Sequence, residues 1–318
     1  MSETSVSYGS NLEALYAVED SWGDLPSGPT VYNLRCTGFG INMTRDSFTS
    51  NELRSDRQTE DSREGMDQVS GDIPVELSYG AFDDLIASAM FNTWNSADEI
   101  SIGTTQSSLR IARGFPAMNQ FHEFSGCIVN SWSMSVQPNA IITSSFGFMG
   151  KSMTTYTTSG AMRHDYTAVD KATNAAFDSF SGALYIGTKE TDPGSADEIA
   201  VVTGIDFSLE NNITPLQTIG NQQAVGMSEG RATISGTVTA FFADSTLIDY
   251  FLDETPVAVE FTLTDDSSNS YRFYMPKVRF SGANLSVDGE GPVSMSLPFT
   301  ALIAKGGSFL NTLKITKL

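Results

Sequence analysis

Two stretches of this chain open in the same way: Thr37 to Asp46 reads TGFGINMTRD, and Thr203 to Asn212 reads TGIDFSLENN. In each, Thr-Gly leads into apolar residues at alternate places, Phe39, Ile41 and Met43 in the first and Ile205, Phe207 and Leu209 in the second. Such alternation marks a strand with one buried face. Further landmarks keep their intervals. Ser70-Gly71 lies 33 residues after Thr37-Gly38, and Ser235-Gly236 lies 32 after Thr203-Gly204. Phe148 follows Ser135-Val136 by 13 residues, and Phe299 follows Ser286-Val287 by the same 13. Landmarks that hold order and spacing predict one unit written twice. The polar, small-residue stretch near residues 155 to 180 sets the boundary, giving units of 1–160 and 161–318. A chain of 318 residues has room for two cores of ordinary size.

Between the landmarks the chain is mostly short alternating runs. Ala232 to Phe242, Val257 to Thr264, Ser270 to Phe280 and Val293 to Ile303 are predicted strands. Thr264 to Ser270 and Asp288 to Gly291 are predicted hairpin tips. Helical spacing occurs once per unit. In Tyr79 to Trp94 the residues Phe82, Leu85, Ile86, Ala89 and Met90 share a face, centring a helix at about 79–92. In Asp244 to Glu254 the residues Leu247, Ile248, Phe251 and Leu252 do the same, with Asp244 as the expected N-cap and Pro256 as the stop. The expected class is mainly β, with one short helix per unit. Arg45 to Asp72 departs from alternation: it mixes both charge signs and is almost free of apolar residues, which predicts a long loop. Asn211 to Arg231 is its less charged counterpart, so each unit extends an arm, at 44–70 and at 211–230.

Composition excludes several functions. A formal net charge of −20 repels phosphate, so sequence-independent binding of nucleic acid is not expected. The start is polar and acidic, without a secretory signal, and no apolar run reaches membrane-spanning length; the expected site of synthesis and assembly is the cytoplasm, with no membrane partner. Cys36 and Cys127 are expected as separate thiols. Catalytic motifs are missing. His122 and His164 have no partner at the spacing of a triad or zinc site, and HExxH, GxSxG and CxxC do not occur. The acidic pairs Asp83-Asp84 and Asp265-Asp266 and the run Asp288 to Glu290 lack the register of a calcium loop. No catalytic residue, metal or cofactor is expected, which leaves self-assembly as the function of an acidic, duplicated β protein.

The opening Ser7 to Asp24 (SYGSNLEALYAVEDSWGD), the strand and arm from Thr37 to Gly65, and Val69 to Phe91 (VSGDIPVELSYGAFDDLIASAMF) resemble the tail tube proteins of long, non-contractile-tailed (siphovirus-type) bacteriophages. The resemblance spans essentially the whole chain, the second arm included. It implies two tandem β-sandwich tube domains, each with a flanking helix and a loop arm, in a virion protein. Six domains would make a ring, three chains with pseudo-sixfold symmetry, and rings would stack into a tube that conducts DNA without binding it specifically. Tail terminator, tape measure and distal tail proteins are the other implied partners. The arms would reach the adjacent ring, through Glu52, Arg54, Asp56, Arg57, Glu60, Asp61, Arg63 and Glu64 in the first and Leu216 and Ile219 in the second. A terminator or decoration subunit is the alternative within virions, and an unrecognised hydrolase the alternative outside them.

Overall fold

The computed structural model describes residues 8–52, 55–56, 58, 61–157, 161–179, 183–187, 202–287, 291–304 and 311–318. The first half contributes β1 (Glu13–Val18), β2 (Val31–Asn33), β3 (Asn42–Thr49), β4 (Ser62–Glu76), α1 (Asp83–Met90), β5 (Glu99–Ser101), β6 (Leu109–Phe115), β7 (Gln120–Val136), β8 (Thr143–Gly150) and β9 (Ser152–Tyr156). The second contributes α2 (Met162–Asp165), β10 (Ala168–Val169), β11 (Ala183–Gly187), β12 (Val202–Glu210), β13 (Thr214–Leu216), β14 (Gly226–Ser228), β15 (Thr233–Phe241), α3 (Thr246–Leu252), β16 (Val257–Thr264), β17 (Ser270–Phe280), β18 (Asn284–Ser286), β19 (Ser294–Ala301) and β20 (Lys314–Lys317). The protein is mainly β, as its alternation predicts. The four predicted strands are β15, β16, β17 and β19, and both predicted helices form, each shorter than the segment predicted for it. Asp244 stands one place before Ser245, the residue that precedes α3; its carboxylate still accepts the Thr246 N–H at 2.9 Å. At the first predicted tip, the Asp265 carboxylate takes the N–H groups of Ser267 and Asn269. Most of the second tip, 288–290, lies outside the described residues.

One antiparallel sheet runs in the order β3, β4, β8, β7, β12, β15, β19, and β18 extends its far edge. Long strands bend from this sheet into a second layer. The N-terminal part of β7 pairs with β6 and β9, and β1 lies beyond β6. Likewise, β17 pairs with β16 and β20 at its start, with β11 beyond β16. Apolar side chains fill the space between layers. Trp132 is fully buried, with its ring centroid 5.7 Å from Phe146, 5.4 Å from Phe207 and 6.0 Å from Phe273; its Nε1–H donates to Ser144 Oγ at 2.8 Å.

The registers of the two halves coincide. Gly71 pairs with Phe148 as Gly236 pairs with Phe299, and Ser135 pairs with Thr143 as Ser286 pairs with Ser294. Even an irregularity recurs: pairing shifts between Leu109–Cys127 and Ile111–Phe124, and again between Val257–Val278 and Val259–Met275. Both glycines serve a close approach. A Cβ on Gly71 would stand 2.2 Å from the Gly40 carbonyl oxygen, and one on Gly236 would stand 2.1 Å from that of Asp206. Contacts this short are excluded for any side chain, so glycine lets the two strands draw together.

The halves are joined edge to edge. β7 pairs with β12 from Ser131–Glu210 to Val136–Ile205, and β20 pairs with β5 in the second layer. Tyr271 closes the gap beside α1: its hydroxyl accepts the Gly80 N–H at 2.8 Å and donates to Asp83 at 2.5 Å, and Lys317 Nζ reaches the same carboxylate at 2.7 Å. Asn211, 3% exposed, donates through Nδ2 to the carbonyls of Ala89 and Val129, at 2.9 and 3.0 Å. Next to it Ile213 and Met227 pack on Phe91 and Ile128. Replacing Asn211 with Ala leaves two buried carbonyls unbonded, and the expected loss is about 1–3 kcal/mol in a urea unfolding titration.

Candidate functional surface: an open sheet face and two arms

Cross-strand partners share a face, so the outward side of the large sheet can be read in rows. One row is Glu76, Thr143, Ser135, Asp206, Thr237 and Pro298; the next is Pro74, Ser145, Ser133, Ser208, Ser235 and Thr300. A third is Asp72, Gly147, Ser131, Glu210 and Thr233. Directly behind them the core row is Ile73, Phe146, Trp132, Leu209, Ile234 and Ala301. From β4 to β19 these rows contain hydroxyls and carboxylates and neither lysine nor arginine; beyond Thr300 the second row ends on Arg279 of β17, which lies 3.7 Å from Glu254. Ser135 Oγ donates to Asp206 at 2.6 Å across the joint between the halves. Burial, and after it the Asp72 charge, holds the Glu210 carboxyl above the usual range. The surface is a smooth, weakly acidic sheet of small polar groups, shallowly concave where the halves meet, with a hollow of about 420 Å³.

Both arms leave one end of this sheet. The first is not the loop that its composition predicts: β3 and β4 stay paired out to Thr49–Ser62, making a twisted ribbon. Periodicity misses it because both faces of the ribbon are wet, so no apolar alternation is required. Its pairing is supported instead by cross-strand charge. Arg45 of β3 bonds Asp67 and Glu64 of β4, while Arg63 meets Asp61, two places away on its own side of the ribbon, at 3.2 Å. Glu52, Asp56, Asp61, Arg63 and Glu64 are exposed along the ribbon and its tip, while Arg54, Arg57 and Glu60 lie outside the described residues. The second arm carries the small hairpin of β13 and β14, with Leu216 48% exposed and Ile219 fully exposed beyond it. The arms touch. The Asp67 N–H donates to the Gln222 carbonyl at 2.9 Å, and a groove of about 590 Å³ between them is lined by Phe48, Met66 and Ile219. Sequence reasoning missed Arg45, Phe48, Asp67 and Asn211, whose roles depend on partners from the opposite strand or the opposite half.

A family model described as phage tail tube protein matches residues 9–301, nearly the full chain. The chain belongs to the phage tail tube protein family. A search of curated proteins returns no match to it. It is thus a structural virion protein of the phage tail, in a family that is not an enzyme family.

The titratable groups of this tube protein serve the fold. Arg113 Nε donates to His122 Nδ1 at 3.1 Å, which requires the neutral imidazole as acceptor. Burial and the Arg113 charge lower the His122 pKa from its ordinary value. The unfolded chain therefore binds a proton that the folded chain refuses, and stability falls as pH drops below about 6.5. The His122→Gln variant is expected to flatten this dependence in unfolding titrations between neutral and mildly acid pH. His164 falls in α2, and its side chain lies outside the described residues. Cys127 is buried with its thiol pushed up by desolvation, and Cys36 is half-buried; both are free. Among the described residues no cluster of His, Cys, Asp and Glu is placed to hold a metal ion, and no helix is long and apolar enough to cross a membrane.

Proposed function

We propose that the chain consists of two tube domains, 1–160 and 161–318, and that three chains close into a six-domain ring whose rings stack into the tail tube. The observation that carries this reading is the β7–β12 joint between two halves of the same register. It supplies a template for joining one chain to the next. Among the described residues, β3 and β18 each have a partner strand on one side only. Open edges of this kind are sites of strand addition unless they are covered. Carried to the outer edges, the internal register sets Asn42 opposite Asn284 and Thr44 opposite Gly282 of the neighbouring chain. Rotation then closes the sheet and leaves no edge.

In such a ring the hydroxyl and carboxylate rows line the bore. A basic lining would hold the duplex by phosphate contacts, whereas this one repels it and leaves it mobile during ejection. The arms, lying together at one end of the sheet, reach the adjacent ring through the first-arm charges from Glu52 to Glu64 and through Leu216 and Ile219. Assembly takes place in the host cytoplasm, with terminator, tape measure and distal tail proteins at the tube's ends and core. Electron microscopy of the concentrated protein tests the reading. Stacked rings of three chains are expected; single rings that never stack, or location at one tail end only, would assign it to a terminator or decoration role instead.

A further inference from the structure

Positions that are covered in the first half are bare in the second, and they lie on one side. Leu77 is fully buried, while Phe242, whose N–H bonds the Val293 carbonyl as that of Leu77 bonds Ile142, is 39% exposed. Met134 is 3% exposed and its register mate Leu285 45%. Met90, the last residue of α1, is fully buried, and Leu252, the last of α3, is 67% exposed. Beside Leu252 a groove of about 470 Å³ is lined by Phe251, Glu254, Arg279 and Phe280. In the shared register Phe251 and Phe280 stand where Ala89 and Val129 stand in the first half. Those are the two residues whose carbonyls Asn211 occupies. The seat that Asn211 and Ile213 fill within the chain is therefore repeated, empty, at the end of α3.

We infer that this second seat is filled by Arg45 to Ser47 of the next copy. The assignment rests on the ring reading and identifies its contact. Asn42 pairs with Ser70 as Ser208 pairs with Ser235, so Arg45 takes the place of Asn211 and Ser47 that of Ile213. The side chains fit the exchange. Where the first seat is lined by Ala89, Phe91, Ile128 and Val129, the second has Asp253 and Glu254 at the C-terminal end of α3, a site suited to a cation, with Glu254 3.7 Å from Arg279. Arginine has five N–H donors, enough to keep its Asp67 bond while reaching those acids. Arg279 replaces Ile128 and Asp253 replaces Phe91, so the contact between chains is ionic at the places where Ile213 and Met227 pack on apolar side chains within the chain.

Full-length protein with Ser47→Cys and Asp253→Cys in a Cys36→Ser background, treated with a short bismaleimide after assembly, should give a ladder ending at three chains; each single cysteine should give none. Separately, Arg45→Glu should lower ring yield at least about tenfold, with recovery when Glu254→Arg is added. Rings visible by electron microscopy that neither crosslink nor respond to Arg45→Glu would overturn the seat and leave the ring reading standing. A wild-type protein that sediments as a monomer at every concentration would overturn both.

Discussion

Chains lacking residues 51–64 are expected to fold, close into rings and stop there, with no tube longer than a single ring under conditions in which the full chain polymerises. The deletion removes the tip and the outer part of the first ribbon. It leaves the β3–β4 pairs from Asn42–Ser70 to Arg45–Asp67, which lie nearer the sheet. Secondary structure by circular dichroism should change little, because the tip contributes nothing to the core. Each exposed ion pair contributes only about 0–1 kcal/mol, so one substitution such as Arg63→Ala should barely affect stacking. Removing the whole set should abolish it, since every ring junction would lose the same contacts several times over. Sedimentation with negative-stain microscopy separates rings from tubes, and normal tube growth by the shortened chain would refute the arm's role.

Replacing Trp132 with Ala should have the largest effect on stability, about 3–5 kcal/mol in a denaturant titration. The ring touches Phe146 in the first half and Phe207 and Phe273 in the second, so its loss opens a cavity shared by both. It also strands the Ser144 hydroxyl, which donates to the Ser133 carbonyl and loses its donor from the indole. The whole unfolding curve should shift. A change confined to one of two separate transitions would show that the halves are not coupled through this side chain. Trp132→Phe should cost much less, as it keeps most of the volume.

Alternation announced β16 and β17 residue for residue, because large apolar side chains recur at every second place, Val257, Val259, Phe261 and Leu263 in one and Tyr271, Phe273 and Met275 in the other, even though most of the intervening residues are also buried. The ribbon of β3 and β4 was not legible for the opposite reason: its outer pairs bury nothing. The 17-residue β7 escaped notice too. It changes layers near Gly126, where φ is +64°, and its two ends bury different faces, so no single period runs its length. Of the candidate surface, the two arms stood out by composition. Asn211 did not, since nothing in LENNIT distinguishes a solvated turn residue from one that bonds two carbonyls of the other half. Edge-to-edge pairing is invisible in sequence because it is made by backbone groups that every residue has.

That the two halves meeting at the β7–β12 joint belong to one polypeptide also has a kinetic consequence. When two sheet edges belong to one chain, their encounter is unimolecular and proceeds at an effective concentration set by the tether rather than by the solution. A six-domain ring of such chains needs roughly three molecules to meet instead of six, so its nucleation rate should rise with about the third power of protein concentration. A dilute pool of subunits would then be enough to start such a ring.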